Sequence, residues 1–576
     1  MDLDNKWNKE FHNDESKQQD QKQSENSPKI KIALDTTRKY THRLFIDEFK
    51  KPYAAIPTDD HLEVFAIDSR NFKNWCRMTI YQKNGITIDS QTLNDMCSLL
   101  SAYAMYDKNS EQINLSLRTA TRTNNNKLEW IYDLTNKNWE FVRITPDFWS
   151  IIKNEIIFRR YNNQQSQVDP QTEYEPDIFD KFMKLVNIKE DDEDSKLLLK
   201  CYIVSLFIPD IQKPVLMLHG SQGSAKSSLE ELIKMLVDPG IVKTYTFPRD
   251  LNELIQQLSH NHVIYYDNIS IIRDWISDQL CRAVSGSGSS KRQLYTDDDD
   301  VIYSFKRCVG FNGINLGATK ADLLDRGLII ELERIAEDRQ LKPENLWKEF
   351  EEMRPQLLGY IFDILVKVLN WKNNVNGPQL NLDKLPRMSE FAEYGEMISR
   401  CMGNPGNLFI NTYRKNIRLQ SQEVIESSVV ATTIIELIVN RNNEDWIGTP
   451  TQLLSDLEYV AESLKINIHG KLWPKSSNVL SRRLNEIKVN LKQVGMEIES
   501  SHDGTKRILR IRKISLVSLI PLVEQNQAQN TPEIPNDTNE TSNDTNNISL
   551  VNYELNHAQK EISNDTNDTN DILHEY

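Results

Sequence analysis

Gly220-Ser-Gln-Gly223-Ser-Ala225-Lys226-Ser227-Ser228 is the stretch of this chain whose residue types and spacing point most directly to chemistry. The apolar run Val215–Leu218 leads into it. A helical pattern follows, with Leu229, Leu232, Ile233 and Leu236 on one side and Asp238-Pro239 as a stop. Strand, small-residue turn, Lys-Ser and helix form the context of a phosphate-binding loop. Small residues let backbone N–H groups curl around phosphate oxygens, and the helix N-terminus adds partial positive charge. The reading assigns phosphate contact to Gly220, Ser221, Gln222, Gly223, Ser224, Ala225, Lys226, Ser227 and Ser228. Lys226 is expected to reach the β- and γ-phosphates and the Ser227 hydroxyl to ligate Mg2+. Ala225 stands where the GxxxxGK[ST] pattern has its second glycine, and Gly223, two residues earlier, can relax the loop. The bland alternative is an ordinary Gly/Ser turn before a surface helix.

Such a loop needs a second metal ligand on a nearby strand. Val263-Ile264-Tyr265-Tyr266-Asp267 is an apolar strand ending in a carboxylate, so Asp267 is the expected partner of Ser227 on Mg2+. Asn268 follows, where a water-activating acid would be useful; Asp278 is a weak substitute. Cys308–Asn312 is another strand with a polar end, and Asn312 can orient water against a γ-phosphate, although Asn312-Gly313 is also a turn dipeptide. Arg326 precedes the strand Leu328–Leu332 and can complete a neighbouring subunit's site, or else pair with Asp325 or Asp322. Between Asp267 and Asn312, Val284–Thr296 leads through Asp297–Asp300 to Val301–Tyr303, which reads as a hairpin carrying Lys291 and Arg292. Those two bases can grip phosphates of a single strand or form an exposed basic turn.

Together, "LHGSQGSAKSS", "VIYYDN", "AVSGSGSSKRQLYTDDDD", "CVGFNG" and "DLLDRGLIIEL" resemble, in that order, the superfamily 3 helicases, and in particular the phage and plasmid primase-helicase type. The resemblance covers roughly residues 210–335. It implies an AAA+ P-loop core, ATP-driven translocation on DNA, a homo-oligomer that is usually a hexamer, single-stranded DNA in the ring channel, and Arg326 acting on the adjacent protomer. Ala225 and Asn268 depart from the commoner pattern. Such proteins often carry a primase domain ahead of the motor, but residues 32–162 show no acidic cluster for one.

The elements that must hold these residues set the fold class. It is multidomain α/β: a P-loop AAA+ core, an N-terminal α+β domain, a C-terminal winged helix and disordered termini. Residues 1–30 are polar and expected to be disordered. Residues 31–162 alternate β-rich and helical runs, with strands at Ile113–Ala120 and Leu128–Tyr132 around a turn Arg122–Lys127, and a helix Thr92–Met105 whose apolar side is Leu93, Met96, Leu99 and Leu100. Residues 163–177 read as a linker, 178–335 as the ATPase domain and 336–420 as helical. Residues 421–514 read as a winged helix: a helix over 421–439, a second opened by Thr449-Pro450, and a third near Ser476 with its stripe at Leu480, Leu484, Ile487, Leu491 and Val494. A hairpin over 496–512 follows. Arg482, Arg483, Lys488 and Lys492 lie off that stripe. Arg482, Arg483 and Lys488, with Lys506, Arg507, Arg510 and Arg512 on the wing, form an expected duplex-DNA face, the rival being a protein-binding module with a solvated basic face.

Charge supports that division. The 576 residues carry a net −15, yet residues 471–513 hold eleven bases and four acids, while 531–576 hold ten acids and one base. Residues 515–576 read as a disordered low-complexity tail. Its repeated NDT triplets match the glycosylation pattern but read as a solvated tail. The six cysteines form no CxxC pair, which argues against a zinc ribbon, and no apolar run reaches membrane-spanning length. A cytoplasmic setting, without membrane partners, is therefore expected. The function expected is an ATP-dependent DNA helicase or translocase of a mobile element. The rivals are a nucleotide-gated DNA-binding switch, kept alive by Asn268, and a protein-remodelling machine.

Overall fold

In the computed structural model, the structure describes residues 29–270, 272–286, 289–292, 300–303, 306–313, 321–335, 342–374, 380, 382, 385–470, 473–503 and 506–514. The expected disordered residues 1–28 and the tail from 515 lie outside them; residues 29 and 30 open a helix over 29–40.

The centre is a four-stranded parallel sheet in the order Gly327–Glu331, Val215–His219, Cys308–Asn312, Val263–Tyr266. Three of these strands are apolar runs buried along almost their whole length, as strands covered on both faces must be. A parallel bridge from Tyr245 to Tyr266 extends the outer edge by one residue. Because all four strands run the same way, their C-terminal ends share one edge. Helices Lys226–Val237, Leu251–His260 and Asp274–Ser285 connect them. Leu229, Leu232, Ile233 and Leu236 are all buried, as their spacing predicts.

The N-terminal region holds two antiparallel sheets: Arg43–Ile46, Pro52–Thr58 and His61–Ala66, then Thr119–Asn124, Lys127–Asp133, Phe141–Ile144 and Trp149–Ile152. The expected strand pair is present but displaced. Its turn is Asn125-Asn126 alone, both residues left-handed, so the strands extend to Asn124 and Lys127 and the first begins at Thr119. The helix is Ser90–Tyr106, capped by Asp89 accepting from Thr92 N–H; Leu93, Met96 and Leu100 are buried, but Leu99 is exposed.

The division at 162 is not a division of the core. Trp130, Tyr132, Val142 and Ile144 belong to the same apolar cluster as the central sheet. Residues 163–177, expected to be a linker, are bonded to that body. Gln167 donates to Tyr132 Oη and to Leu236 O, and Gln171 N–H donates to Pro355 O. A Cβ on Gly359 would lie 1.7 Å from Gln171 O, so the segment presses directly on the helix Pro343–Asn373. The buried Gln167 side chain satisfies a core hydroxyl and a backbone carbonyl, while Gln171 is tied through its backbone and keeps its side chain in water.

The expected helix over 421–439 is two helices. Leu408–Ser427 contains residue 421 and Ile425, and Val429–Asn440 begins after Ser428, whose hydroxyl accepts from Ala431 N–H and restarts the spiral. Pro450–Ser463 and Ser477–Gln493 follow, the former opened by a Thr449/Gln452 capping box. Leu480, Leu484, Ile487 and Leu491 are buried; Val494 falls just past the helix, partly covered. Met496–Asp503 pairs with Lys506–Lys513, and Trp446–Gly448 adds a third strand.

Candidate functional site

At the carboxyl edge of the central sheet, the chain leaves His219 and turns through Gly220 into the helix Lys226–Val237. Gly220 has φ 140°, and a Cβ there would sit 2.2 Å from Leu332 O, so only glycine fits. Ser221, Gln222 and Gly223 form an open rim; Ser224 is buried beneath it. Ala225 takes φ 60°, ψ 31°. That left-handed backbone explains the glycine of the usual pattern: Ala225 meets the same geometry with a Cβ, at about 1–2 kcal/mol of strain.

Lys226 folds back over the loop. Its Nζ donates to Gly220 O and Ser221 O, each at 2.8 Å, and to Ser224 Oγ at 3.1 Å. Burial holds its ammonium below the ordinary lysine range. Ser228 lies next in the helix, half-buried.

Ser227 Oγ donates to Asp267 Oδ1 at 2.8 Å. The loop's hydroxyl and the strand's carboxylate, 40 residues apart, are therefore adjacent. Two hard oxygen donors side by side suit Mg2+, which typically takes one or two protein oxygens and fills its remaining positions with phosphates and water. Among the described residues there is no cluster of three or more His, Cys, Asp or Glu that would hold an ion without such help.

Asn312 joins them. Its Nδ2 donates to Asp267 Oδ1 and to Glu230 Oε2, both at 2.7 Å, and its Oδ1 accepts from Asn268 N–H at 3.0 Å. It is 3% exposed, so in this state its amide is turned inward and fully engaged. Asn268 has φ 55°, with its side chain in solvent. Asp278 is exposed on the helix Asp274–Ser285.

Glu230 was not legible as a site residue. It is 0% exposed, burial pushes its carboxyl well above the ordinary range, and its Oε1 has no hydrogen-bond partner among the described residues. The signal available was its spacing, one helical turn beyond Lys226. A second unforeseen neighbour is Arg334, exposed next to Ile335, whose N–H donates to Gly223 O.

Arg326 lies at the opposite edge. Its carbonyl accepts from Val215 N–H, and Gly327 pairs with Val215, so a whole strand separates it from the loop. Five residues at about 3.3 Å each put roughly 15 Å between them. Its guanidinium pairs with Asp322 at 2.5 Å and approaches Ser285 Oγ at 3.4 Å. Of the two pairings weighed from sequence, Asp322 is the one formed; Asp325 pairs with Arg387.

The hairpin between Asp267 and Asn312 is present: Ser289–Arg292 pairs antiparallel with Asp300–Tyr303, Lys291 opposite Val301 and Arg292 opposite Asp300. The side chains of Lys291 and Arg292, and the tip 293–299, lie outside the described residues.

On the C-terminal unit, Arg482 and Lys488 are exposed and Arg483 and Arg507 half-buried; the Lys506 side chain lies outside the described residues. The remaining bases are neutralised locally. Arg510 pairs with Asp445 at 2.6 Å, Arg512 with Glu497 and Glu499 at 2.6 and 2.9 Å, and Lys492 with Glu497 at 2.7 Å. The expected wing face is thus less free than its composition suggests. No helix among the described residues is long and apolar enough to cross a membrane.

Residues 179–399 match the family model described as actinomycete integrative conjugative element replication protein, and residues 430–529 match the AICE RepA C-terminal domain. Both models describe replication proteins of a mobile element. Among solved structures, the A form apo structure of the NrS-1 C terminal region is similar at 13% identity and a TM-score of 0.36, covering 82% of this chain and 96% of that one. A JCV helicase bound to a thiazolopyridine compound is similar at 12% identity and a TM-score of 0.23, over 42% and 65%. Among curated proteins, none matches the chain.

Proposed function

We propose that the chain is an ATP-dependent DNA helicase or translocase acting in the replication of a mobile element. The observation that carries this reading is the 2.8 Å contact between Ser227 Oγ and Asp267 Oδ1, at the end of a glycine-dependent turn that feeds a helix N-terminus. That pairing supports a P-loop ATPase core, and the two family matches support a replication role. ATP phosphates lie against the loop amides of Gly220–Ser228, and Lys226 exchanges its carbonyl partners for β- and γ-oxygens. Ser227 and Asp267 hold Mg2+, which neutralises phosphate charge when bound. Asn312 positions water or the γ-phosphate once its N–H toward Asp267 is released.

Arg326 faces away from its own loop, so it serves a neighbouring protomer in a head-to-tail ring, a hexamer. The Ser289–Tyr303 hairpin presents Lys291 and Arg292 to single-stranded DNA. The C-terminal unit, three helices and a hairpin, acts as a winged helix on duplex DNA through Arg482, Arg483, Lys488 and the wing bases.

A second reading has its own observation. With Asn268 in place of an acid and Asn312 turned inward, the chain can bind ATP as a gate on DNA affinity without unwinding. ATPase activity with and without single-stranded DNA separates the two. DNA-stimulated turnover with strand displacement supports the motor; ATP-dependent DNA affinity without turnover supports the switch; turnover indifferent to DNA favours a protein-remodelling machine. Lys226→Ala and Arg326→Ala should each abolish turnover, and mixing the two inactive proteins should restore part of it. No recovery would count against a shared inter-subunit site.

A further inference from the structure

We infer that Glu230 is a positioning residue for the ATPase reaction, fixing the Asn312 amide so that one of its N–H bonds is delivered to the site when Asp267 turns to the metal. This inference rests on the nucleotide-binding reading above and adds to it a residue that no motif marks.

The argument begins with the amide. A primary amide has two N–H donors and one carbonyl acceptor. In Asn312 all three are used: one N–H to Asp267 Oδ1 at 2.7 Å, one to Glu230 Oε2 at 2.7 Å, and the carbonyl to Asn268 N–H at 3.0 Å. A flipped amide would turn its carbonyl toward two carboxyl oxygens and its NH2 toward an N–H donor. The orientation is therefore set by its neighbours.

Next comes what changes on loading. Asp267 Oδ1 accepts from both Ser227 Oγ and Asn312 Nδ2. An ion held by Ser227 and Asp267 competes for those lone pairs, which frees one Asn312 N–H. The other two bonds of the amide do not touch the metal. Glu230 and the Asn268 backbone keep the plane fixed, and the freed N–H remains directed at the site. Without the Glu230 acceptor the amide would be held by one bond at its oxygen and could swing.

Placement supports the assignment. Glu230 sits one turn along the helix that begins with Lys226 and Ser227, so the clamp ties Asn312 to the element carrying the phosphate ligands. A fully buried carboxyl whose second oxygen lacks a partner among the described residues is costly to keep for packing alone. Glu231, beside it, is half-exposed and reaches Lys243, the ordinary fate of a helix acid.

The test uses the full chain with Mg-ATP, after folding of each variant is checked by circular dichroism. Glu230→Gln keeps an acceptor for the Asn312 N–H; Glu230→Met keeps the volume and removes it. Expected results are kcat within about threefold of wild type for Glu230→Gln and a tenfold or greater loss for Glu230→Met, with Kd for a non-hydrolysable ATP analogue changed less than threefold in both. In an Asn312→Ala background, Glu230→Met should cost little more, since its partner is gone. Full additivity in that cycle would overturn the inference, as would a tenfold loss in Glu230→Gln, which would show that the carboxyl acts by more than accepting a hydrogen bond. If Glu230→Met does not fold, the Glu230→Gln kcat decides by the same limits. Wild type that neither binds nor hydrolyses ATP would instead refute the nucleotide reading itself.

Discussion

Replacing Asp238 by Asn should destabilise the protein by about 3–5 kcal/mol, the usual cost of leaving buried charges without their partner. Asp238 ends the helix Lys226–Val237 and is 1% exposed. Its two oxygens accept four hydrogen bonds: from Arg118 Nε at 2.9 Å, Lys234 Nζ at 2.8 Å, His262 N–H at 2.9 Å and Val263 N–H at 3.0 Å. Arg118 and Lys234 are themselves 0% and 1% exposed. An Asn offers one acceptor oxygen and turns an NH2 toward at least one cation, so the two positive charges lose their counter-ion. Burial raises the Asp238 carboxyl, but Lys234 and Arg118 outweigh it and hold the group well below the usual carboxylate range. The sign follows: with the folded pKa depressed, the stabilisation is complete above about pH 4, where the unfolded carboxylate titrates, and is lost only at lower pH. The deficit of Asp238→Asn should therefore be constant from pH 5 to 8. Urea unfolding followed by intrinsic fluorescence measures it, and limited proteolysis should then cut between 118 and 215, because the variant loosens the tie between the N-terminal sheet and the core. Adding Lys234→Met should return part of the loss by removing one stranded charge. A loss under about 1 kcal/mol, or no recovery in the double variant, would refute the account.

Ala225→Gly should remove left-handed strain of about 1–2 kcal/mol while adding about 0.4–1 kcal/mol of unfolded-state entropy, for a small net gain near 0.5–1 kcal/mol. Slower hydrogen exchange in the first turn of the helix Lys226–Val237 would reveal it, and faster exchange would contradict it. His262, buried and pushed down to about 3, stays neutral in the fold while the unfolded imidazole protonates near pH 6.5. Stability should thus fall by up to about 1.4 kcal/mol per pH unit as pH drops from about 6 toward 4, and His262→Gln should flatten that limb in denaturation measured at several pH values. On DNA, Arg482→Ala and Lys488→Ala should each lower duplex affinity and reduce the salt slope by about one, whereas Arg512→Ala, already neutralised by Glu497 and Glu499, should change the slope less. Fluorescence anisotropy at several salt concentrations reads that difference.

The parts of the site legible in the sequence were those written locally. Val263–Asp267 and Cys308–Asn312 are apolar runs ending in a polar residue, and parallel pairing necessarily brings such ends to one edge. The turn at Gly220 was legible because its small residues serve the backbone. What was not legible depended on partners far along the chain. Residues 163–177 have the composition of a linker, yet the Gln167 amide bonds Tyr132 Oη and Leu236 O, and the Gln171 backbone N–H bonds Pro355 O. Asp238-Pro239 looked like a helix stop and is also an anchor for Arg118, 120 residues away. The wing arginines looked free for phosphate because their acids sit on the opposing strand and on Asp445, where composition does not place them.

The same effect runs along the helix after the loop. Lys226, Glu230, Lys234 and Asp238 recur every four residues with alternating sign, which on sequence grounds describes a solvated face laced with ion pairs. In the fold Glu230, Lys234 and Asp238 face inward, because the helix lies under the central sheet and the N-terminal strands cover its far end. Burial changes the energetic requirement from weak screened pairing to near-complete satisfaction. Lys234 meets it through Asp238, Asn261 Oδ1 and Val263 O. Asp238 meets it with four donors. Lys226 makes contacts that a phosphate can replace. Glu230 keeps an oxygen without a partner among the described residues while holding the Asn312 amide that donates to Asp267. If the row served stability only, Glu230 would be its weakest member and a neutral isostere would improve the protein. If it serves the reaction, removing its acceptor should lower turnover tenfold or more while affinity for a nucleotide analogue stays within threefold, a split that packing alone does not produce.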